Sequence, residues 1–257
     1  MTRIIPVRVA GLAAATLVVI GVLAMSAARA GAASEVIYNN IPAPLPGNLV
    51  SVGNEAYSMS EIGGEVEFAG ANRKNPVVTV AMSSWACFSG HWYSNNCSSS
   101  SLNKFEWPVT FAIYEVGPEN TVGAKIAAGS KIYKMPYRPS ANSKCTGENA
   151  GKWYGMGKCW NGKAFKISLG LKVAKLPAKA IISVSYNTTN HGANPVGATA
   201  CNASNAGCFY DSLNVALTQP SEGGATCEGG TQGVFGPATC AAFWEGDQPS
   251  ITVKALP

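Results

Sequence analysis

The chain is 257 residues long and carries a formal net charge of +5. Charged residues make up 13% of it, about half of the roughly 25% that is typical of soluble domains. The first 33 residues contain Arg3, Arg8 and Arg29, so the charge of the remainder falls to +2. No cluster of Lys and Arg resembles a nucleic-acid footprint, and the composition therefore predicts no nucleic-acid partner.

Residues 1–33 have the layout of a secretory signal peptide. Arg3 and Arg8 precede an apolar segment of helical character, and small residues follow it at 28–30 and 31–33. Positive, apolar and small residues in that order are typical of a signal peptide with a cleavage site. The alternative is an uncleaved membrane anchor, because the apolar run is nearly long enough to span a bilayer. We predict a secreted, extracellular protein that contacts the membrane only through this segment before cleavage; association with the cell surface stays open.

Eight short segments of the remaining chain have the alternating or β-branched pattern of strands. In one of them Val78, Val80 and Met82 fall on the same face. The predicted strands span residues 65–68, 77–83, 109–116, 125–133, 165–169, 180–186, 213–217 and 251–255. No stretch shows a sustained helical period with caps. We therefore predict one all-β domain over residues 34–257, a jelly-roll-like β-sandwich with long, disulfide-stapled loops.

All eight cysteines lie in this predicted domain. An even number in an exported chain predicts a disulfide framework. The cysteines form four local couples, each flanking a stretch rich in Gly, Ser and Asn. The predicted bridges are Cys87–Cys97, Cys145–Cys159, Cys201–Cys208 and Cys227–Cys240. The alternative is a zinc site, but the paired CxxC spacing that zinc sites use does not occur, and no cofactor is predicted.

Five segments of the predicted mature chain have a familiar sequence, at residues 36–42, 64–66, 186–192, 195–197 and 210–216. These segments resemble a group of secreted actinobacterial proteins of unknown function, and the resemblance extends over most of the predicted mature chain. The resemblance implies a secreted β-sandwich domain. It implies no activity and transfers no catalytic residue.

Candidate catalytic residues are few. His91, His191 and Asp211 could be drawn into a triad with a serine, but no G-x-S-x-G motif supports it. Glu65 and Glu67 share one face of a predicted strand, where a solvated surface is the commoner interpretation and a hydrolase acid pair the rarer one. Asp211 fits an Asx turn before a strand, or a ligand in a calcium site that relies on loop carbonyls.

Large aromatic residues concentrate in the predicted stapled loops. Trp153, Tyr154 and Trp160 belong to the Cys145–Cys159 loop, and Trp92 and Tyr93 to the Cys87–Cys97 loop. One interpretation is that they pack as small satellite cores under the loops. The other is that they form a stacking platform for sugars, with Asn and Ser as hydrogen-bond partners.

The sequence thus favours a secreted, non-catalytic binding module, with a polysaccharide or cell-wall glycan as the small target. The alternative function is a structural or adhesive envelope protein that binds other extracellular proteins. Exposure of the aromatic residues should distinguish the two, because a row of accessible rings fits a glycan and a broad apolar patch fits a protein. A secreted hydrolase using Glu65 or Glu67 is the third alternative.

Overall fold

The computed structural model describes residues 34–53, 61–92, 95–118, 121–186, 213–218, 226–228 and 248–256. Its fourteen strands all pair antiparallel, and the described ranges contain one short 3-10 helix, Gly147–Asn149, and no α-helix. No helix among them is long and apolar enough to cross a membrane. The predicted signal peptide, residues 1–33, lies outside the described ranges.

The eight predicted strands are all present, most of them a few residues longer than the sequence pattern indicated. They are β3, β4, β5, β6, β9, β10, β11 and β14 in chain order. The full set is β1 Glu35–Asn39, β2 Ser51–Val52, β3 Glu61–Glu67, β4 Lys74–Ser84, β5 Lys104–Val116, β6 Val122–Pro136, β7 Trp153–Gly155, β8 Lys158–Trp160, β9 Lys163–Gly170, β10 Lys179–Ser185, β11 Leu213–Thr218, β12 Thr226–Glu228, β13 Gln248–Pro249 and β14 Ile251–Leu256. The all-β prediction is confirmed.

The strands form two large sheets and one separate hairpin. In the first sheet β4 pairs with β9 on one side and with β14 and β11 on the other. Strand β1 extends this sheet beside β14, and β2 and β13 flank β11. The second sheet has the order β12-β3-β10-β5-β6, and β7 pairs only with β8.

Four of the pairings are nested in the order of the chain. Strand β1 pairs with β14, β3 with β10, β4 with β9, and β5 with β6. The nested pairs alternate between the two sheets. As a result, the chain crosses from one sheet to the other at most of its turns.

One hydrophobic cluster contains side chains from both large sheets. Strand β5 contributes every second residue, which is the period that a strand with one buried face requires. The β5 members are Phe105, Trp107, Val109, Phe111 and Ile113, and β4 adds Val78, Val80 and Met82. Full burial of each such side chain contributes roughly 1.5–3 kcal/mol relative to exposure. The one-face pattern predicted for Val78, Val80 and Met82 is confirmed.

A second, smaller cluster lies on the other face of the first sheet. Ala81 of β4 and Ala216 of β11 are buried there beneath Ile41, Leu45 and Leu49. The small alanines allow the proline-rich segment 41–50 to lie close to the sheet. Its alternating prolines predict an extended segment that joins no ladder, and residues 40–50 contain no strand.

Tyr38 and Tyr133, which belong to or pack against the large hydrophobic cluster, have raised pKa values. Burial raises the pKa of Tyr38 to about 12, although a hydrogen bond from Gln248 opposes part of the shift. Burial also raises the pKa of Tyr133 to about 12, and its hydroxyl donates to the Ser168 carbonyl at 3.0 Å. Both values lie above the ordinary tyrosine pKa of about 10.

We expect the free energy of unfolding to fall as the pH rises from 9 to 11.5. In that window the unfolded chain releases tyrosine protons that the folded chain retains, so rising pH favours unfolding. Urea denaturation at steps of half a pH unit measures the slope, and Tyr133→Phe should make it shallower. Equal slopes for the two proteins would contradict this assignment.

Candidate functional site

Two long connections meet at the same end of the sheets. Ser84, the last residue of β4, pairs with Lys163, the first residue of β9. Lys104 at the start of β5 pairs with Pro136 at the end of β6. The segments that leave and re-enter the sheets here are 85–92, 95–103 and 137–162, and we call them together the stapled end.

A disulfide closes each of the two loops at the stapled end. The bonds Cys87–Cys97 and Cys145–Cys159 join Cα atoms that are 5.4 and 5.8 Å apart. Closing a loop of about 15 residues stabilises a fold by roughly 3 kcal/mol in the chain-entropy model. These two pairings are confirmed, and they fit an oxidising compartment such as the cell exterior. The predicted Cys201–Cys208 and Cys227–Cys240 bonds lie outside the described side chains.

The first loop is held by short-range hydrogen bonds and by two indole rings. Ser89 and Ser98 exchange backbone hydrogen bonds of 2.8 and 2.9 Å across the loop. The His91 amide donates to the Asn96 side-chain oxygen at 2.9 Å. Trp85 and Trp92 meet edge to face with ring centroids 4.7 Å apart. The Trp85 ring therefore covers part of the Trp92 ring, and the Trp92 side chain is half-buried.

The second loop contains the hairpin β7–β8, which turns at Met156 and Gly157. Both residues have positive φ, 53° and 75°, as the tightest hairpin turns require. Trp153 and Trp160 are cross-strand partners on one face. The Trp153 Nε1 donates to the Gly162 carbonyl at 2.7 Å, and the Trp160 Nε1 donates to the Gly155 carbonyl at 2.8 Å. This face packs against the body of the protein.

A fully buried arginine, Arg138, connects the two loops. Its Nη2 donates to the Gly151 carbonyl in the second loop at 2.6 Å, and its Nη1 to the Trp92 carbonyl in the first loop at 3.3 Å. Its Nε donates to the Pro139 carbonyl at 3.3 Å, and its own amide to the Ala86 carbonyl at 2.9 Å. Burial lowers the pKa of Arg138 to about 10, so the guanidinium stays charged at neutral pH. Within the described ranges no carboxylate lies within 4.0 Å of it.

The structure separates the predicted ligand-binding residues into packed and exposed ones. Trp153 is only 5% exposed, and this burial favours packing rather than ligand contact. Tyr154 points to the opposite side of the hairpin and is 39% exposed. Trp92 and Trp160 are half-buried. Tyr93 lies outside the described residues.

Sequence reasoning missed Arg138 and the lysines beside the aromatic rings. The Lys144 Nζ lies 4.9 Å from the centroid of the Tyr154 ring, and the Lys163 Nζ lies 5.1 Å from that of Trp153. Both distances are within the range of cation–π attraction. The sequence signal was the high lysine content of residues 144–163, which a search for aromatic residues alone does not weigh.

The candidate carboxylates lie on the second sheet, on strand β3. Glu65 and Glu67 both form ion pairs with Lys179, at 3.8 and 3.6 Å. Glu61 is buried and accepts hydrogen bonds from Tyr114 at 3.0 Å and Ser183 at 2.5 Å. Glu61 and Glu65 are four residues apart on one strand, which separates their Cα atoms by about 13 Å. Each of these carboxylates is therefore engaged by neighbouring sheet residues.

The predicted triad and metal candidates are only partly within the described residues. His191 and Asp211 lie outside them, so the triad and the calcium alternative stay predictions. His91 lies in the first loop, half-buried. The side chains that the structure describes contain no group of three or more His, Cys, Asp or Glu that could hold a metal ion.

Replacing Arg138 with methionine should lower the free energy of unfolding by about 2–3 kcal/mol. The loss arises because three carbonyls at the stapled end lose their donor, while removal of a buried charge offsets part of it. Urea denaturation of the oxidised protein measures the change, and limited proteolysis should cut within the stapled end first.

Arg73→Met is the matched control, because Arg73 also donates to two carbonyls, those of Leu176 and Gly70, but is only half-buried. We expect that substitution to cost less than about 1 kcal/mol. Equal losses in the two variants would contradict the connecting role of Arg138.

Other proteins supply no function for this surface. Comparison with protein-family models, with curated proteins and with solved structures finds no match. The side chains of the stapled end are therefore the basis for any functional proposal.

Proposed function

We propose that the protein is a secreted, non-catalytic binding module that recognises a glycan with its stapled end. The scaffold is a jelly-roll β-sandwich over residues 34–257, with the two large sheets as its layers. The nested pairing of eight strands and the hydrophobic cluster shared by both sheets support this architecture. A sandwich of this kind presents its loops at its two ends, where binding residues commonly lie.

The observation that carries the proposal is the connection of two disulfide-closed loops through Arg138. A guanidinium that donates to carbonyls of both loops fixes their relative position. Each loop is also closed by its own disulfide. Loops that are ordered before binding lose little conformational entropy when a ligand arrives, which raises affinity. A simple connection between strands has no need for this degree of order.

The side chains available on these loops suit a sugar ring. Tyr154 offers an exposed ring, and Trp92 and Trp160 are each half-buried. Planar, rigid aromatic side chains supply contact area at low entropic cost, and a few polar groups then fix orientation. Asn95 and Asn149, both exposed, are amides of the same two loops. We assign Tyr154 as the principal contact and remove Trp153 from the ligand-binding set.

Exposed aliphatic and aromatic groups favour a protein partner as the second candidate function. Phe88 is 56% exposed and Met156 62% exposed, one in each stapled loop. Leu102, which precedes β5, is also highly exposed. Exposed apolar groups of this kind mark protein contacts when they form one continuous patch. In this case the protein is a structural or adhesive component of the cell envelope.

The non-catalytic part of the proposal rests on the arrangement of the carboxylates. Glycoside hydrolysis uses two carboxylates that flank one bond, about 5–9.5 Å apart. Glu65 and Glu67 share Lys179 as their counter-ion, and Glu61 is engaged by Tyr114 and Ser183. These contacts favour a structural role for all three. Export is supported by the signal-like sequence of residues 1–33 and by the two disulfides.

Replacing Tyr154 with alanine should weaken glycan binding up to about tenfold and leave the fold intact. The ring is exposed and outside the core, so its removal costs little stability, whereas loss of a stacking contact costs about 0.5–1.5 kcal/mol of binding free energy. Calorimetric titration of the oxidised mature protein with a panel of soluble neutral and acidic polysaccharides measures it.

The control is Leu256→Ala, which truncates a similarly exposed side chain where β14 pairs with Lys74, at the other end of the sheet. It should bind as the unmodified protein does. Absence of binding to every polysaccharide in the panel would overturn the glycan proposal, and attention would turn to Phe88 and Met156 as contacts for a protein.

A further inference from the structure

Positive charge is concentrated in residues 121–186, the part of the chain that includes the second loop of the stapled end. Residues 121–186 contain twelve Lys and Arg but one acidic residue, Glu148. The second loop and its flank, residues 144–163, contain four of the lysines. The net charge of the predicted mature chain is only +2, so this segment is far more basic than the protein as a whole.

The lysines of residues 144–163 form no ion pair with any described residue. Lys134 and Lys179, on the second sheet, form ion pairs with glutamates. Lys144, Lys158 and Lys163 form none with the described residues. Lys152 donates to the amide oxygen of Asn149 at 2.9 Å, a neutral acceptor. Their charge is therefore not neutralised within the described part of the protein.

Arg138 adds to the positive potential of this end. Its partners are carbonyl oxygens, so its full charge remains uncompensated by a described carboxylate. A buried charge is screened by salt much less than an exposed one. The stapled end therefore combines the buried charge of Arg138 with exposed lysines of the second loop, and charge of one sign raises the local concentration of anions.

We propose that the ligand of the stapled end is an anionic glycan, a sugar polymer bearing carboxylate or phosphate groups. This inference rests on the proposed glycan-binding function and specifies its substrate class. The contact between Lys144 and Tyr154 carries it, because the ammonium group lies 4.9 Å from the centre of a ring that is itself exposed. An anion held by Lys144 lies beside the ring that contacts the sugar.

Lysines also occur on edge strands for another reason, which is to prevent sheets from pairing with each other. Lys131 on β6 and Lys166 on β9 fit that role, because those strands are at the edges of the two sheets. The four lysines of residues 144–163 include two that lie outside any strand, Lys144 and Lys152. Protection of an edge does not account for those two.

The test compares the affinity of the protein for a charged polymer with its affinity for the same polymer after the charge has been chemically masked. The oxidised mature protein is titrated with polygalacturonate and with the fully methyl-esterified form, which keeps the sugar backbone and removes the carboxylate charge. Phosphorylated dextran and plain dextran form a second pair and distinguish phosphate from carboxylate as the source of charge. Duplex DNA serves as a polyanion without exposed sugar rings of this type.

We expect at least tenfold tighter binding to the charged member of one pair, with affinity falling as NaCl rises from 50 to 300 mM. Replacing Lys144 and Lys152 with glutamine should weaken that binding about tenfold. The matched control replaces Lys172 and Lys175 with glutamine, because both are exposed in the connection that follows β9 at the opposite end of the sheet. The control should bind as the unmodified protein does.

The other outcomes overturn the inference in distinguishable ways. Equal binding of charged and neutral polymers that requires Tyr154 would leave the glycan function standing and reject selection for anions. An equal loss of affinity in the two double-lysine variants, or DNA bound as tightly as the charged glycan, would mean that binding depends on the overall charge of the protein and not on the stapled end. Binding to none of the polymers would reject the proposed function together with its substrate class.

Discussion

One buried cation connects the two loops of the stapled end, beside the hydrogen bonds that join Ser99 to Ser140 and Cys97 to Ala141. A guanidinium without a carboxylate partner is costly to bury, because it loses several kcal/mol of hydration free energy. Hydrogen bonds to neutral dipoles recover only part of that loss. In Arg138, hydrogen bonds to three carbonyl oxygens offset part of the cost of burial. Two of those carbonyls, of Trp92 and Gly151, belong to different loops. The planar, forked shape of arginine allows this geometry, which a lysine with its single ammonium group does not reproduce.

The disulfides and Arg138 act on different levels of the structure. Each disulfide restricts one loop in the unfolded chain as well as in the folded one, which is why it stabilises through entropy. Neither bond relates one loop to the other. Arg138 connects the loops partly through Gly151, whose positive φ of 82° is a conformation that glycine adopts without strain. Its carbonyl is the acceptor of the shortest hydrogen bond that Arg138 makes.

The strands of the two large sheets were largely predictable from the sequence, because burial of one face imposes a period of two. Strands β4 and β5 follow that rule closely. Val78, Val80 and Met82 of β4 belong to the same hydrophobic cluster as Phe111 and Ile113 of β5. The two described disulfides were also predictable, since each closes a short loop between neighbouring cysteines. Strands β7 and β8 escaped prediction because each has three residues, too few for a period to be recognised.

The side chains of the site were less predictable than the fold. Nothing in the sequence Pro136-Tyr137-Arg138-Pro139 distinguishes a buried arginine from an exposed one, because its partners are backbone carbonyls that any residue supplies. Trp153 and Tyr154 pose a similar problem. Both are large aromatic residues of one loop, and their burial depends on which face of the hairpin packs against Gly162. That orientation is set by tertiary contacts outside the loop.

Successive side chains of β7 point to opposite faces, so Trp153 is buried and Tyr154 is exposed. This alternation also limits how tightly the surface binds a small ligand. A three-residue strand with one packed face presents a single ring to solvent, and one stacked ring contributes only about 0.5–1.5 kcal/mol. A single sugar would therefore bind weakly. A polymer that contacts both the Tyr154 ring and the adjacent Lys144 would bind more tightly, because contacts along one chain add through effective concentration. The proposed ligand is therefore an extended one, and the lysines without an ion pair among the described residues favour one that is anionic along its length.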